Sequence, residues 1–155
     1  MAIRYQPQFN QILYEQDFYL WIQTTAKLLK ERRFEDVDWE SLIEEIESMG
    51  RSEKKEVKSR LIVLLEHLLK LMYGEAEKTC NARGWRDTIV EQRIHIELSL
   101  EDSPSLRPIL TELFLDCYQK ARSTALRKYQ LRADFFPAEP PFTLEDVLDS
   151  DYLPQ

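Results

Sequence analysis

At 155 residues the chain has the length of one folding domain. Its 43% apolar, 32% charged and 11% aromatic content fits a soluble globular protein and excludes collagen, low-complexity disorder and a chain that is membrane span throughout. With 21 Lys and Arg against 28 Asp and Glu the net charge is −7, which repels phosphate backbones unless the positive charge is concentrated in one place.

Only 3 Gly and 7 Pro interrupt stretches rich in Leu, Glu, Lys, Arg, Ala and Gln, so the composition points to an all-α protein. Cys80 and Cys117 are too few for a disulfide framework. The opening residues show no apolar run or cleavage pattern of a signal peptide. The longest apolar run, residues 61–65, falls far short of the roughly 20 that a membrane span needs. The expectation is a reduced, cytoplasmic protein without a membrane partner.

Residues 1–14 read as an irregular polar arm. A helix is predicted over 15–33, where Phe18, Trp21, Ile22, Leu28 and Leu29 recur at the helical period and Lys27, Lys30, Arg32 and Arg33 load the C-terminal end. Asp38 is placed to cap the next helix. There Trp39, Leu42, Ile43, Ile46 and Met49 form one apolar stripe, and packing in a core or seam is the expectation for Trp21, Trp39 and Trp85 alike. Gly50 predicts a break or kink. Over 53–73 the residues Leu61 to Leu65, Leu68, Leu69, Leu71 and Met72 cover almost the whole circumference, which marks a helix buried on all sides. Its remaining polar stripe comprises Glu56, Arg60, Glu66, His67 and Lys70.

Residues 74–84 read as a polar loop. Over 85–101 the alternation of Ile94, Ile96, Leu98 and Leu100 imitates a strand, but no second run exists to pair with it, and Trp85, Ile89, Ile96 and Leu100 also share a helical face, so a helix is predicted. Ser103-Pro104 predicts a further start, with the helix reaching about residue 130 along Leu106, Leu110, Leu113, Cys117, Ala121 and Ala125. The last segment, 135–155, is too apolar for a free tail and is expected to wrap over the helices, with a short capped helix at 143–149. The whole predicts a single-domain helical bundle, 1–155, of about four to five main helices with an extended C-terminal tail.

The polar residues offer no complete catalytic pattern: no nucleophile elbow, no phosphate-cradling Gly-rich loop and no Cys-x-x-Cys. Seven acids between Glu35 and Glu47, without a basic residue among them, read as a solvated helix face or as a docking surface for a basic partner. Arg51 and Arg60 sit at i,i+4 from Glu47 and Glu56 and are expected to pair with them. Cys117, on an apolar face, reads as a small hydrophobe. His67 and His95 lack the Glu-x-x-His spacing of a bundle metal site, so neither a metal nor another cofactor is expected. Two weaker constellations remain: a polar cluster of Glu44, Glu47, Arg60, His67 and Arg93, and a partner anchor at Trp85-Arg86.

The blocks Tyr14-Glu15-Gln16-Asp17-Phe18, Trp21, Glu44-Glu45-Ile46-Glu47-Ser48-Met49-Gly50, Ser59-Arg60-Leu61, His67-Leu68-Leu69-Lys70, Trp85-Arg86, Gln92-Arg93, Pro104-Ser105-Leu106 and Pro141-Phe142-Thr143-Leu144 occur in order. Together they resemble the bacterial domain-of-unknown-function family twenty-nine. That resemblance implies an all-helical cytoplasmic domain and carries over no activity, cofactor or catalytic residue.

The leading functional expectation is a non-enzymatic interaction or regulatory module, docking a protein partner or a second copy of itself. The alternative is a small metal- or acid/base-dependent enzyme using Glu47, Arg60 and His67. Nucleic acid is not an expected partner, because the stripe Lys120, Arg122, Arg127, Lys128 and Arg132 is opposed by the overall charge of −7.

Overall fold

The computed structural model describes residues 7–154. They form an all-α helical bundle of six α-helices and one 3-10 turn, with no strand among the described residues. The helices are α1 (Pro7–Gln16), α2 (Phe18–Lys30), α3 (Trp39–Tyr73), α4 (Glu75–Asp102), α5 (Leu106–Lys128) and α6 (Leu144–Leu148), and the 3-10 turn is Phe34–Asp36. Contacts sort into two compact units, Met1–Ser52 and Glu53–Gln155, and α3 contributes a segment to each.

In the first unit, part of the expected irregular arm is helical: α1 begins at Pro7, a residue suited to the first turn because the donor it lacks has no helical partner there. Residues 1–6 of the expected arm lie outside the described residues. The helix predicted over 15–33 is instead divided at Asp17, whose carboxylate accepts from the Leu20 N–H at 3.1 Å and so caps a new helix. Trp21, Thr25, Leu28 and Val37 are buried, and the Tyr14 ring meets that of Trp21 edge-on at 4.7 Å. α2 ends where Arg32 enters the left-handed region (φ 57°) and the Arg33 N–H reaches back to the Leu28 carbonyl at 2.9 Å.

Asp38 caps α3 as expected, accepting from the Ser41 N–H at 3.2 Å. The apolar stripe that follows does not face inward. Ser41 is buried, Leu42 is partly so, and Glu45 is turned to Tyr14, whose hydroxyl donates to its carboxylate at 3.0 Å. Trp39, Ile43, Ile46 and Met49 are 46–61% exposed, which corrects the expectation of core packing for Trp39. The helix also runs through Gly50 without the expected break. A Cβ at Gly50 would meet nothing within 4 Å, and the backbone there is not left-handed.

The second unit is built on the later part of α3, where Val57, Leu61, Leu64, Leu65, Leu68, Leu69 and Leu71 are fully buried, as the circumferential pattern predicted. Around it pack Trp85, Ile89 and Ile96 of α4, and Leu110, Cys117, Tyr118, Ala121 and Ala125 of α5. The burial of Ile89, Arg93 and Ile96 with Ile94 half-exposed is a helical rather than an alternating pattern.

The polar loop expected over 74–84 does not exist. α4 starts at Glu75, leaving Gly74 alone to turn the chain. Glu75, Ala76, Glu77 and Lys78 are good helix formers, and the two acids suit a helix N-terminus. Gly74 fits because a Cβ there would lie 2.6 Å from the Lys70 carbonyl oxygen and 3.2 Å from the Trp85 ring.

α5 starts at Leu106, two residues later than Ser103-Pro104 suggested, with Pro108 in its first turn. It ends at a left-handed Gln130 (φ 51°), with the Leu131 N–H on the Leu126 carbonyl. The tail does wrap over the helices of this unit: Phe136, Phe142, Leu144 and Val147 are buried. The Tyr118 hydroxyl donates to the Pro137 carbonyl, and burial pushes the phenol up to about 12. A Thr143–Asp146 capping box starts α6.

Candidate functional site

The second unit contains a buried charge group on one edge of its central helix. Glu66 and Lys70, one turn apart on α3, are 3% and 6% exposed. The Glu66 carboxylate accepts from Lys128 Nζ at 3.0 Å, and Lys70 Nζ lies 3.8 Å from the same oxygen. Two ammonium groups thus share one carboxylate, leaving one positive charge in excess. Lys70 Nζ also donates to the Tyr129 hydroxyl at 3.1 Å, at the edge of that ring, and lies over the Trp85 ring, 5.5 Å from its centroid.

His67 completes the group as a neutral ring. Its Nδ1 is 2.8 Å from the Val63 carbonyl, which can only accept, so Nδ1 carries the proton and Nε2 is left to accept from Lys70 at 3.4 Å. Burial lowers the His67 pKa below its ordinary value. The bond to Val63 opposes that shift, and the Lys70 charge reinforces it.

Beside Lys70 is a cavity of about 330 Å³, walled by Tyr73, Trp85, Tyr129, Phe135 and Phe136. Glu75 and Glu77, in the first turn of α4, also line it.

The residues singled out in the sequence fall in separate places. Glu44 and Glu47 are exposed in the first unit and both approach Arg51, at 2.7 and 4.0 Å. Arg60 pairs with Glu56 at 3.1 Å and reaches Gln92 at 3.4 Å. Of these contacts, Glu47–Arg51 and Glu56–Arg60 are the i,i+4 pairings that the spacing indicated, with Arg51 closer to Glu44 than to Glu47. His67 belongs to the buried charge group. Arg93 is buried elsewhere in the second unit, with Nε donating to the Val147 carbonyl at 2.8 Å and an Nη reaching that of Asp146 at 3.5 Å, so it holds the end of α6. Trp85 is a cavity wall, and its neighbour Arg86 is exposed.

Among the described residues no group of three or more His, Cys, Asp or Glu is placed to hold a metal ion. Cys117 is buried, and burial pushes its thiol up, away from the reactive thiolate. The sequence showed Glu66 and Lys70 as part of a polar stripe. Nothing in it joined that stripe to Lys128 and Tyr129, 62 and 59 residues away.

A second feature lies within the first unit. Trp39, Ile43, Ile46 and Met49 form an exposed stripe, and Ile43 alone of these four lines a shallow hollow of about 570 Å³, together with Tyr14, Glu15, Glu40, Glu44 and Glu47. The Trp39 ring is fixed at the start of the stripe by its Nε1–H, which donates to the Phe34 carbonyl at 2.9 Å.

These features define a helical domain whose notable surfaces are an acid-rimmed apolar helix face and a lysine-walled aromatic cavity. Among the described residues no helix is long and apolar enough to cross a membrane. The chain belongs to the family described as "Domain of unknown function DUF29", whose model matches residues 13–153. No curated protein and no solved structure matches it.

Proposed function

We propose that this protein is a non-enzymatic interaction module, and that the first part of α3 docks an amphipathic helix of another protein with Lys and Arg flanking its apolar stripe. The observation that carries this reading is the outward orientation of Trp39, Ile43, Ile46 and Met49 on a helix whose inward side holds Ser41 and Glu45. An apolar face turned to water beside polar residues is the usual mark of an interaction site. Its flank selects the partner's charge: Glu15, Glu40, Glu44 and Glu47 line the adjoining hollow, with Arg51 ranged against Glu44 and Glu47. Helix-in-groove recognition uses such apolar anchors at helical spacing, with complementary rim charge setting partner choice and encounter rate.

Covering the remaining exposed part of each anchor is worth about 1 kcal/mol, half of the full burial value of an aliphatic side chain. Replacing both Ile43 and Ile46 by Glu removes about 2 kcal/mol, roughly a thirtyfold loss of affinity, while leaving the buried residues of the unit untouched. The test is a photo-crosslinking residue at position 46 in the native host, with sequencing of the captured peptide. The expected capture is a basic-rimmed amphipathic helix, lost on Ile43→Glu while the circular dichroism spectrum is unchanged. Capture of only a second copy of this chain, of an acidic segment, or of nothing would overturn the proposal.

A further inference from the structure

We propose that the cavity beside Lys70 binds a small monocarboxylate with a flat apolar body, its carboxylate taken by Lys70 Nζ and its body held among Trp85, Tyr129, Phe135 and Phe136. This site lies wholly within the second unit and is independent of the docking face on the first part of α3.

Three features specify that ligand. The first is size and wall chemistry. About 330 Å³ is at the lower end of small-molecule sites, ~300–1,000 Å³, and the aromatic residues offer flat apolar faces with few polar groups to satisfy. The second is charge. Lys70 is 6% exposed, and its contacts at 3.1 and 3.4 Å are to a neutral hydroxyl and a neutral imidazole nitrogen. Its carboxylate neighbour, Glu66, lies at 3.8 Å and is held closer by Lys128, at 3.0 Å. Because Lys70 shares that single carboxylate with Lys128, its ammonium gains from an anion delivered into the adjoining cavity.

The third feature sets the number of charges. Glu75 and Glu77 line the same cavity, so a second negative charge on the ligand meets like charge, which disfavours phosphates and dicarboxylates. A cationic ligand of the kind that aromatic cages accept is also disfavoured, because the like charge of Lys70 Nζ already stands 5.5 Å from the centre of the Trp85 ring. The carboxylate would replace the Tyr129 hydroxyl as the partner of Nζ, a rotation about the lysine's flexible stem.

The test is a titration of the intact protein followed at the Trp85 indole N–H resonance, assigned with Trp85→Phe. The probes are 1-naphthoate, the neutral 1-naphthylmethanol and the cation phenyltrimethylammonium. Naphthoate is expected to shift the Trp85 signal saturably, with the alcohol at least tenfold weaker and the cation weaker still. Lys70→Met, which keeps the apolar stem, is expected to reduce naphthoate affinity at least tenfold and bring it level with the alcohol. Phe135→Ala alters a residue already 40% exposed, and is expected to weaken naphthoate and the alcohol together. Should Lys70→Met fail to fold, the acid-to-alcohol ratio on the unaltered protein and the Phe135→Ala titration still decide. No saturable naphthoate shift, equal affinity for acid and alcohol, tighter binding of the cation, or Lys70→Met binding unchanged would each overturn the proposal.

Discussion

Replacing Gly50 by Ala is expected to stabilise the protein, and replacing Gly74 by Ala to destabilise it. Gly50 lies inside the 35-residue α3, exposed, with nothing within 4 Å of where a Cβ would stand. Ala at such a site costs less backbone entropy on folding and gains about 0.8–1.0 kcal/mol over Gly in a helix interior. For a chain of this length that corresponds to a rise in Tm of about 2–4 °C. At Gly74 the added Cβ would lie 2.6 Å from a backbone oxygen, which cannot swing aside as a side chain would, and overpacking of that kind costs about 1–3 kcal/mol. Thermal and urea unfolding followed by circular dichroism reads both variants, and amide exchange across residues 46–54 localises the Gly50 effect. The sign at Gly50 decides the matter. If Gly50 closed a helix in the left-handed conformation, Ala there would lower stability, and a fall in Tm for Gly50→Ala would refute the continuous α3.

Two further outcomes follow from the buried polar groups. Arg93→Met is expected to cost about 1.5–3 kcal/mol, the range for a hydrogen bond from a charged donor, and to release α6 first, because the Val147 carbonyl loses its 2.8 Å partner; exchange rates of the amides around α6 check this. His67 has a folded pKa below its unfolded value of ~6.5, so the unfolded chain takes up the proton more readily. Its contribution to stability is present above pH ~6.5 and is lost as pH falls below that value. His67→Asn is expected to flatten the decline of Tm between pH 7 and 5 relative to the unaltered protein, and an unchanged or steeper decline would contradict the neutral assignment.

Helix character and the central segment of α3 were legible because they rest on local composition and on a circumferential leucine pattern that only burial explains. Two side-chain caps were legible, Asp38 and Thr143, whereas that of Asp17 was hidden inside a stretch that reads as one continuous helix. The end of α5 near residue 130 was also legible, although the left-handed angles that close α2 and α5, at Arg32 and Gln130, are ones that composition assigns to Gly. The helical turns over 75–84 were hidden because their side chains are largely exposed and polar, so no apolar period marks them. The stripe from Trp39 to Met49 was visible, but its direction was not. Amphipathicity gives a face without saying which side the rest of the chain covers, and here the Tyr14–Glu45 bond and the buried Ser41 mark the polar side as the inward one. The charge group around Lys70 depends on partners from the end of α5, and such a meeting has no local signature.

The orientation of α3 underlies both the fold and the proposed function, and thiol labelling tests it directly. In a Cys80→Ser background carrying Ile46→Cys, the new thiol should react with a maleimide at close to the rate of a free cysteine. Cys117, fully buried in the second unit, should remain unmodified until the protein unfolds. Protection of the thiol at position 46 in the isolated folded protein, comparable to that of Cys117, would show that the stripe is covered by the chain itself and would contradict the account.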